Sequence, residues 1–168
     1  MLTSEDIIDL LGLTPLIPEG GYYCETYRSR ESVAGSALPS RYGGRRDMSA
    51  AIYYLLTPDT FSAMHRLATD EVYHFYLGDP VEMLQLLPDG STDTVTLGHN
   101  LLEKMVVQLI VPKGVWQGAR LVSGGGLALL GTTTAPGFDH ADYEHGDRDS
   151  LIERYPAARE MITALTRE

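Results

Sequence analysis

Eight short segments rich in Val, Ile, Leu, Tyr or Thr recur through the middle of this chain, with glycine and proline between them: residues 22–28, 51–57, 72–77, 81–87, 92–97, 105–111, 115–122 and 126–133. Such residues fit a pleated, half-buried surface, and regular spacing at roughly 8–12 residues is the pattern of all-β folds. No long helical pattern lies between the segments, which argues against parallel βαβ units. The turns have a mechanism. In Pro88-Asp89-Gly90 the proline sets the first turn dihedral and the glycine tolerates a positive one. An antiparallel sandwich or barrel follows, and a jelly roll has the right strand count.

The ends read differently. Residues 3–11 predict a short helix: Thr3 or Ser4 caps it, Glu5 and Asp6 suit its positive end, and Gly12 stands where a left-handed C-cap belongs. Residues 149–155 and 156–165 predict a second helical stretch, with Pro156 at a first helical position. The 168 residues are expected to form one domain, with a jelly roll over about 20–135 and a helical tail over about 149–165. The polar, Gly-containing residues 29–48 are expected to be a long mobile loop.

Lys and Arg number 13 against 23 Asp and Glu, a net charge of −10. The local basic cluster Arg41, Arg45 and Arg46 is too small for a phosphate-binding face, so neither nucleic acid nor an anionic membrane is an expected partner. Acids concentrate between Asp139 and Glu168, and that segment, with His140 and His145, is expected to be solvated. The single Cys24 cannot form an internal disulfide and reads as packing. The N-terminus lacks a basic-then-apolar leader, and no apolar run approaches the roughly 18 residues of a membrane span, so a cytoplasmic protein is expected.

The chemistry is concentrated between Ser62 and Gly78, which hold two His, an Arg, two acids and two Tyr. A histidine beside a carboxylate can exchange protons near neutral pH, which makes His65 and Glu71 the first catalytic candidates and His74 the second. On a strand over 72–77, Glu71, Tyr73, Phe75 and Leu77 share one face, while His74 and Tyr76 share the other. His65 lies before that strand, so parity leaves its direction open. Ser62 lacks a hydrolase nucleophile setting. It is read as substrate-binding, together with Tyr22, Arg66, Tyr76, Gln108 and Gln117. Gln108 interrupts an apolar strand, as a pocket hydrogen-bonder or as a satisfied core amide. Trp116 is expected to pack at a dimer surface or under the N-terminal helix, and His99 to be solvated.

Glu71 followed by Gly78, and Pro112-Lys113-Gly114-Val115-Trp116-Gln117, resemble the two cupin motifs. Pro18-Glu19-Gly20-Gly21-Tyr22, His65-Arg66-Leu67 with Asp70-Glu71 and His74, and Ala135-Pro136-Gly137-Phe138 look like the cupin type 5 subfamily, a domain of unknown function, from about residue 5 to 156. The resemblance implies a double-stranded β-helix, the cupin jelly roll, and a homodimer. It also implies kinship with sugar-nucleotide epimerases and seed-storage proteins. It places Gln117 at the metal-ligand position of the second motif and Tyr22 or Glu19 near the cavity mouth.

Metal-binding cupins carry a His-x-His pair, the Glu and a further His. Here His65 fills one position of the pair, Leu67 or Met64 the other, and Gln117 replaces the last. A catalytic zinc or iron site usually has three protein ligands, so no cofactor is expected, with a divalent metal on His65 and Glu71 as the alternative. The function implied is a small-molecule-binding cupin performing metal-independent epimerisation, isomerisation or elimination on a polar metabolite such as a sugar or sugar nucleotide. The alternatives are a non-catalytic binder of a sugar or other small ligand, and a metal-dependent oxygenase.

Overall fold

The computed structural model describes residues 2–167. Helix α1 (Ser4–Leu11) leads into strands β1 (Thr14–Pro15), β2 (Tyr22–Arg28), β3 (Ser32–Val33), β4 (Arg46–Asp47), β5 (Ala50–Leu56), β6 (Ser62–Leu67) and β7 (Glu71–Gly78). Then come β8 (Val81–Leu86), β9 (Thr92–Leu97), β10 (Gln108–Val111), β11 (Trp116–Leu121), β12 (Ala128–Thr134) and β13 (Tyr143–His145), followed by α2 (Arg148–Arg154) and α3 (Arg159–Ala164). A six-stranded sheet, β1-β2-β5-β12-β7-β10, faces a five-stranded sheet, β13-β6-β11-β8-β9. The pairings within both sheets are antiparallel. This is a jelly-roll β-sandwich. Among the described residues no helix is long and apolar enough to cross a membrane.

Three apolar layers hold it together. Tyr54, Leu56, Tyr73, Phe75, Met83 and Leu130 fill the space between the sheets. On the outer face of the six-stranded sheet, Ile7 and Leu13 from the α1 region cover Leu55 and Leu129. That helix is set by a capping box, Thr3 with Asp6, and stopped by Gly12 at φ 63°, where only glycine is free of strain. On the outer face of the five-stranded sheet, Leu151, Ile152, Tyr155, Ile162 and Leu165 cover Met64, Leu84, Leu86 and Trp116. Trp116 therefore lies under the C-terminal helices, not under α1. The strands consequently bury apolar side chains on both faces, which leaves one end of the interior available for polar groups.

Several expectations are corrected. Residues 62–67 form a strand, β6, not a lead-in to one. Residues 105–107 lie outside β10. A register shift between β12 and β7 at Leu129/Leu130 turns Leu77 to the outer face, where it packs near Leu55 and Leu129 rather than with Tyr73 and Phe75. Residues 29–48 are tied down: β3 pairs with β4, and Arg46 is buried. Arg46 donates from Nε and Nη2 to Asp142 Oδ2 and Oδ1 at 2.8 and 2.7 Å, and Nη2 also reaches the Tyr42 carbonyl oxygen at 2.6 Å. Asp142, taken from sequence as part of a solvated acidic segment, is thus a buried ion-pair partner.

A buried pair stripped of one partner leaves an uncompensated charge, which typically costs about 3–5 kcal/mol. Arg46→Ala should lower the urea unfolding free energy by about that amount, whereas Arg45→Ala, at an exposed guanidinium, should change it by less than about 0.5 kcal/mol. Equal effects of the two would contradict this account of the loop.

Candidate functional site

One end of the sandwich encloses a cavity of about 360 Å³. Its walls come from β2 (Tyr23, Glu25, Arg28), β5 (Ala50–Ile52), β6 (His65, Leu67), β7 (Glu71) and β12 (Thr132, Thr134). Leu16, Glu19, Phe138, Asp139 and His140 complete the lining. Strand alternation puts these side chains inside. On β12, Thr132 and Thr134 take inward positions, opposite Tyr73 and Glu71 in the register with β7. On β6, His65 pairs in register with Gln117 of β11.

Glu71 is the centre of the arrangement. It comes from the six-stranded sheet and is almost fully buried. From the opposite sheet, Gln117 Nε2 donates to its Oε2 at 2.7 Å. Burial raises the Glu71 carboxyl above its ordinary value, and the charge of Glu19 pushes the same way. His65 and hydrogen bonds from Thr132 and Gln117 pull it down without cancelling the rise. Because Gln117 donates to Oε2, a proton on this carboxyl belongs on the other oxygen. The phenols of Tyr73 and Tyr54 are pushed far up by burial and stay protonated.

His65 is oriented by its own strand. Its Nδ1 lies 2.8 Å from the Ala63 carbonyl oxygen, so Nδ1 carries a proton and donates, and Nε2 is the free nitrogen. Tyr143 stacks on the ring at 5.3 Å, which fixes its plane. Nε2 stands 3.9 Å from Glu19 Oε2, too far for a hydrogen bond. Glu19 is held in place by Ser62 Oγ, which donates to Oε1 at 2.8 Å. The Glu19 backbone is fixed as well: its carbonyl oxygen accepts from the Ala63 amide at 2.8 Å and from Arg167 Nη1 at 3.0 Å.

The predicted residues divide into two groups. His65 and Glu71 line the cavity, Gln117 bonds Glu71, and Ser62 bonds Glu19. The structure places the others elsewhere. His74 is on the outer face of β7, 3.3 Å from Thr133 Oγ1 and 3.3 Å from the Gln108 amide, and Gln108 is exposed on the edge strand β10. Tyr76 lies on that outer face too, its ring over Gly131, where any Cβ would collide with it. Arg66 points outward, bonded to Glu144 at 2.7 Å and lying 4.5 Å over the Trp116 ring. Tyr22 belongs to the layer under α1, and its neighbour Tyr23 reaches the cavity.

Sequence reasoning did not single out Tyr23, Glu25, Arg28, Thr132, Thr134 or Asp139 as cavity residues. The alternation Tyr23-Cys24-Glu25 and the two threonines spaced by one in an otherwise apolar strand were the available signals. His140 is exposed, as expected, and lines the cavity with its ring edge-on to Phe138. His99 is exposed as expected, with its ring edge-on to Phe75 at 4.9 Å.

The donor set does not fit a metal. Among the described residues no group of three or more His, Cys, Asp and Glu side chains is arranged to hold one. The position opposite His65 is an amide already committed to Glu71. No step is therefore routed through a metal.

A family model described as Cupin_5, cupin superfamily (DUF985), matches residues 5–146. Protein YML079W of Saccharomyces cerevisiae is 28% identical over 133 residues, covering 74% of this chain and 66% of that protein, so the chain spans just under two thirds of that relative's length. A hypothetical protein from Leishmania major superposes with a TM-score of 0.89 at 31% identity, covering 99% of this chain and 100% of that one. Protein SO0799 from Shewanella oneidensis gives 0.88 at 30% identity, covering 99% of each. Oxalate decarboxylase from Bacillus subtilis matches with a TM-score of 0.53 at 14% identity, over 91% of this chain and 37% of that one, which shows a shared fold and no more.

The raised Glu71 carboxyl has a stability consequence. The folded state holds that proton more tightly than the unfolded state, so the associated stability is complete below the unfolded value and is lost as pH rises above it. Glu71→Gln, which keeps the shape and removes the titration, should therefore gain stability relative to the parent between pH 4 and pH 8 in parallel urea titrations. A gap that closes as pH rises would contradict the direction.

Proposed function

The chain belongs to the Cupin_5 family of the cupin superfamily (DUF985), and on that premise we propose that it is an enzyme moving protons on a small polar metabolite held between its two sheets. The observation that carries this reading is the pairing of His65 with Glu71. An imidazole with a free Nε2 and a carboxyl biased toward its protonated form share one cavity, entering it from opposite sheets. An imidazole and a carboxyl held above its ordinary value in one cavity divide naturally into base and acid.

The reaction class follows from that division. Nε2 of His65 accepts the hydrogen of a carbon next to a carbonyl, and the electron pair of the broken C–H bond becomes the enol double bond. The carbonyl oxygen takes the proton from Glu71. The Glu71 carboxylate then takes the proton of the neighbouring hydroxyl while His65 delivers its proton to the former carbonyl carbon, which gives the isomer with both groups restored. Gln117 keeps the Glu71 carboxyl aimed, and Ser62 keeps Glu19 beside His65. At about 360 Å³ the cavity is at the small end of the roughly 300–1,000 Å³ of small-molecule sites. A single sugar ring suits it better than a sugar nucleotide.

The test is proton exchange. Aldoses, ketoses and hexosamines incubated with the protein in D2O should include at least one whose hydrogen next to the carbonyl exchanges with solvent, followed by NMR. Replacing the base in His65→Asn should slow that exchange by about 10²–10⁴-fold, and Glu71→Gln should slow it too, with unchanged circular dichroism for both variants. Tight binding with no exchange would favour a non-catalytic binding protein. Exchange that survives His65→Asn would remove the proposed base.

A further inference from the structure

We propose that the metabolite bound in this cavity is a sugar-sized molecule that carries an ammonium group and neither a phosphate nor a carboxylate. The inference rests on the acid–base reading of the same cavity and adds the charge class of its substrate. It starts from a count of the fixed charges on the lining. Glu19, Glu25, Glu71 and Asp139 stand against one permanent cation, Arg28, while His65 and His140 add charge only when protonated. Even with Glu71 neutral, three carboxylates stand against one guanidinium; Glu25 and Asp139 are exposed, and Glu19, its side chain 14% exposed, is the one held inside.

That guanidinium is already committed. Arg28 donates to both oxygens of Glu25, with the shortest contact at 2.7 Å, to Asp47 at 3.1 Å, and to the Phe138 carbonyl oxygen at 3.2 Å. Glu25 and Asp47 offset its charge where it stands. The Arg41, Arg45 and Arg46 loop offers no clamp either. Arg46 is paired with Asp142, and neither Arg41 nor Arg45 is among the residues that line the cavity. A phosphate or carboxylate entering this cavity would meet carboxylates without a countercharge, and fixed like charges that cannot move apart penalise such a ligand.

The lining does offer acceptors. Glu19 Oε1 takes the Ser62 hydroxyl proton, while Oε2 faces His65 Nε2 across 3.9 Å, a gap that neither side closes with a hydrogen bond. Thr134 lines the cavity, is 4% exposed, and its Oγ1 is buried with no hydrogen-bond partner. Buried polar atoms are rarely left alone, and a polar ligand would satisfy this hydroxyl as donor or as acceptor. An ammonium group brings three donors and the charge that the carboxylates lack.

The experiment follows the His65 imidazole signals of the whole protein by NMR while glucosamine, glucose, glucose 6-phosphate and glucuronate are titrated in separately. Glucosamine should bind at least about tenfold more tightly than glucose, a difference of about 1.4 kcal/mol, and the two anions should leave the signals unmoved. Glu19→Gln should shrink the preference for glucosamine over glucose. The proposal is overturned if either anion shifts the signals as strongly as glucosamine, if Glu19→Gln leaves the preference intact, or if no probe moves them. Failure of the two readings can be told apart. Glucosamine that binds without exchanging its carbon-bound hydrogen retires the acid–base reading and leaves the charge class standing. Exchange on an anionic sugar that is lost in His65→Asn does the reverse.

Discussion

A hydrogen bond from Gln117 Nε2 to Glu71 Oε2 at 2.7 Å joins the five-stranded sheet to the six-stranded sheet through the interior of the sandwich. A carboxyl this deeply buried is costly, and its cost falls on the ionised form. The fold tolerates it because Gln117 and Thr132 bond it and because the carboxyl is held above its ordinary value. The same burial therefore supplies the chemistry, since a carboxyl biased toward its protonated form shares the cavity with an imidazole.

The outer layers make this possible. Sheets in a small sandwich usually spend their apolar side chains on the space between them. Here α1 covers one outer face and the C-terminal helices cover the other, so β5, β6, β8, β11 and β12 contribute buried apolar groups on their outward sides as well. The stability gained outside offsets a polar end inside. Chain segments far apart in sequence then converge on that end. The Arg46–Asp142 pair anchors the approach to β13, which brings Tyr143 onto His65. Arg167, near the C-terminus, holds the backbone of the loop that carries Glu19.

The architecture was legible from strand spacing, turn residues and capped ends because each is a local signal. Parity along β7 separated Glu71 from His74 correctly, since the period of two holds until the register shift that turns Leu77 outward. Strand β6 was not legible. Ser-Ala-Met-His-Arg-Leu has little β-branched or aromatic content, and it is a strand because β11 and β13 flank it and the helices cover Met64. Without it, Arg66 was read as facing the substrate when it faces Trp116 and Glu144. Tyr22 was preferred to Tyr23 because nothing in the sequence says which face of β2 lies under α1. Asp142 looked solvated because its partner, Arg46, is 96 residues away. The missing information is in every case long-range pairing, which composition and periodicity do not carry.

The central claim is that the Glu71 carboxyl stays protonated beyond the range of an exposed glutamate because two sheets close over it. Carbon-13 NMR of the side-chain carboxyl, assigned by its loss in Glu71→Gln and titrated from acid to neutral pH, measures this directly. The account predicts a midpoint above the roughly 4.3 of an unperturbed glutamate, and a further rise when Gln117→Leu removes the bond that favours the charged form. A midpoint at or below the unperturbed value would contradict it.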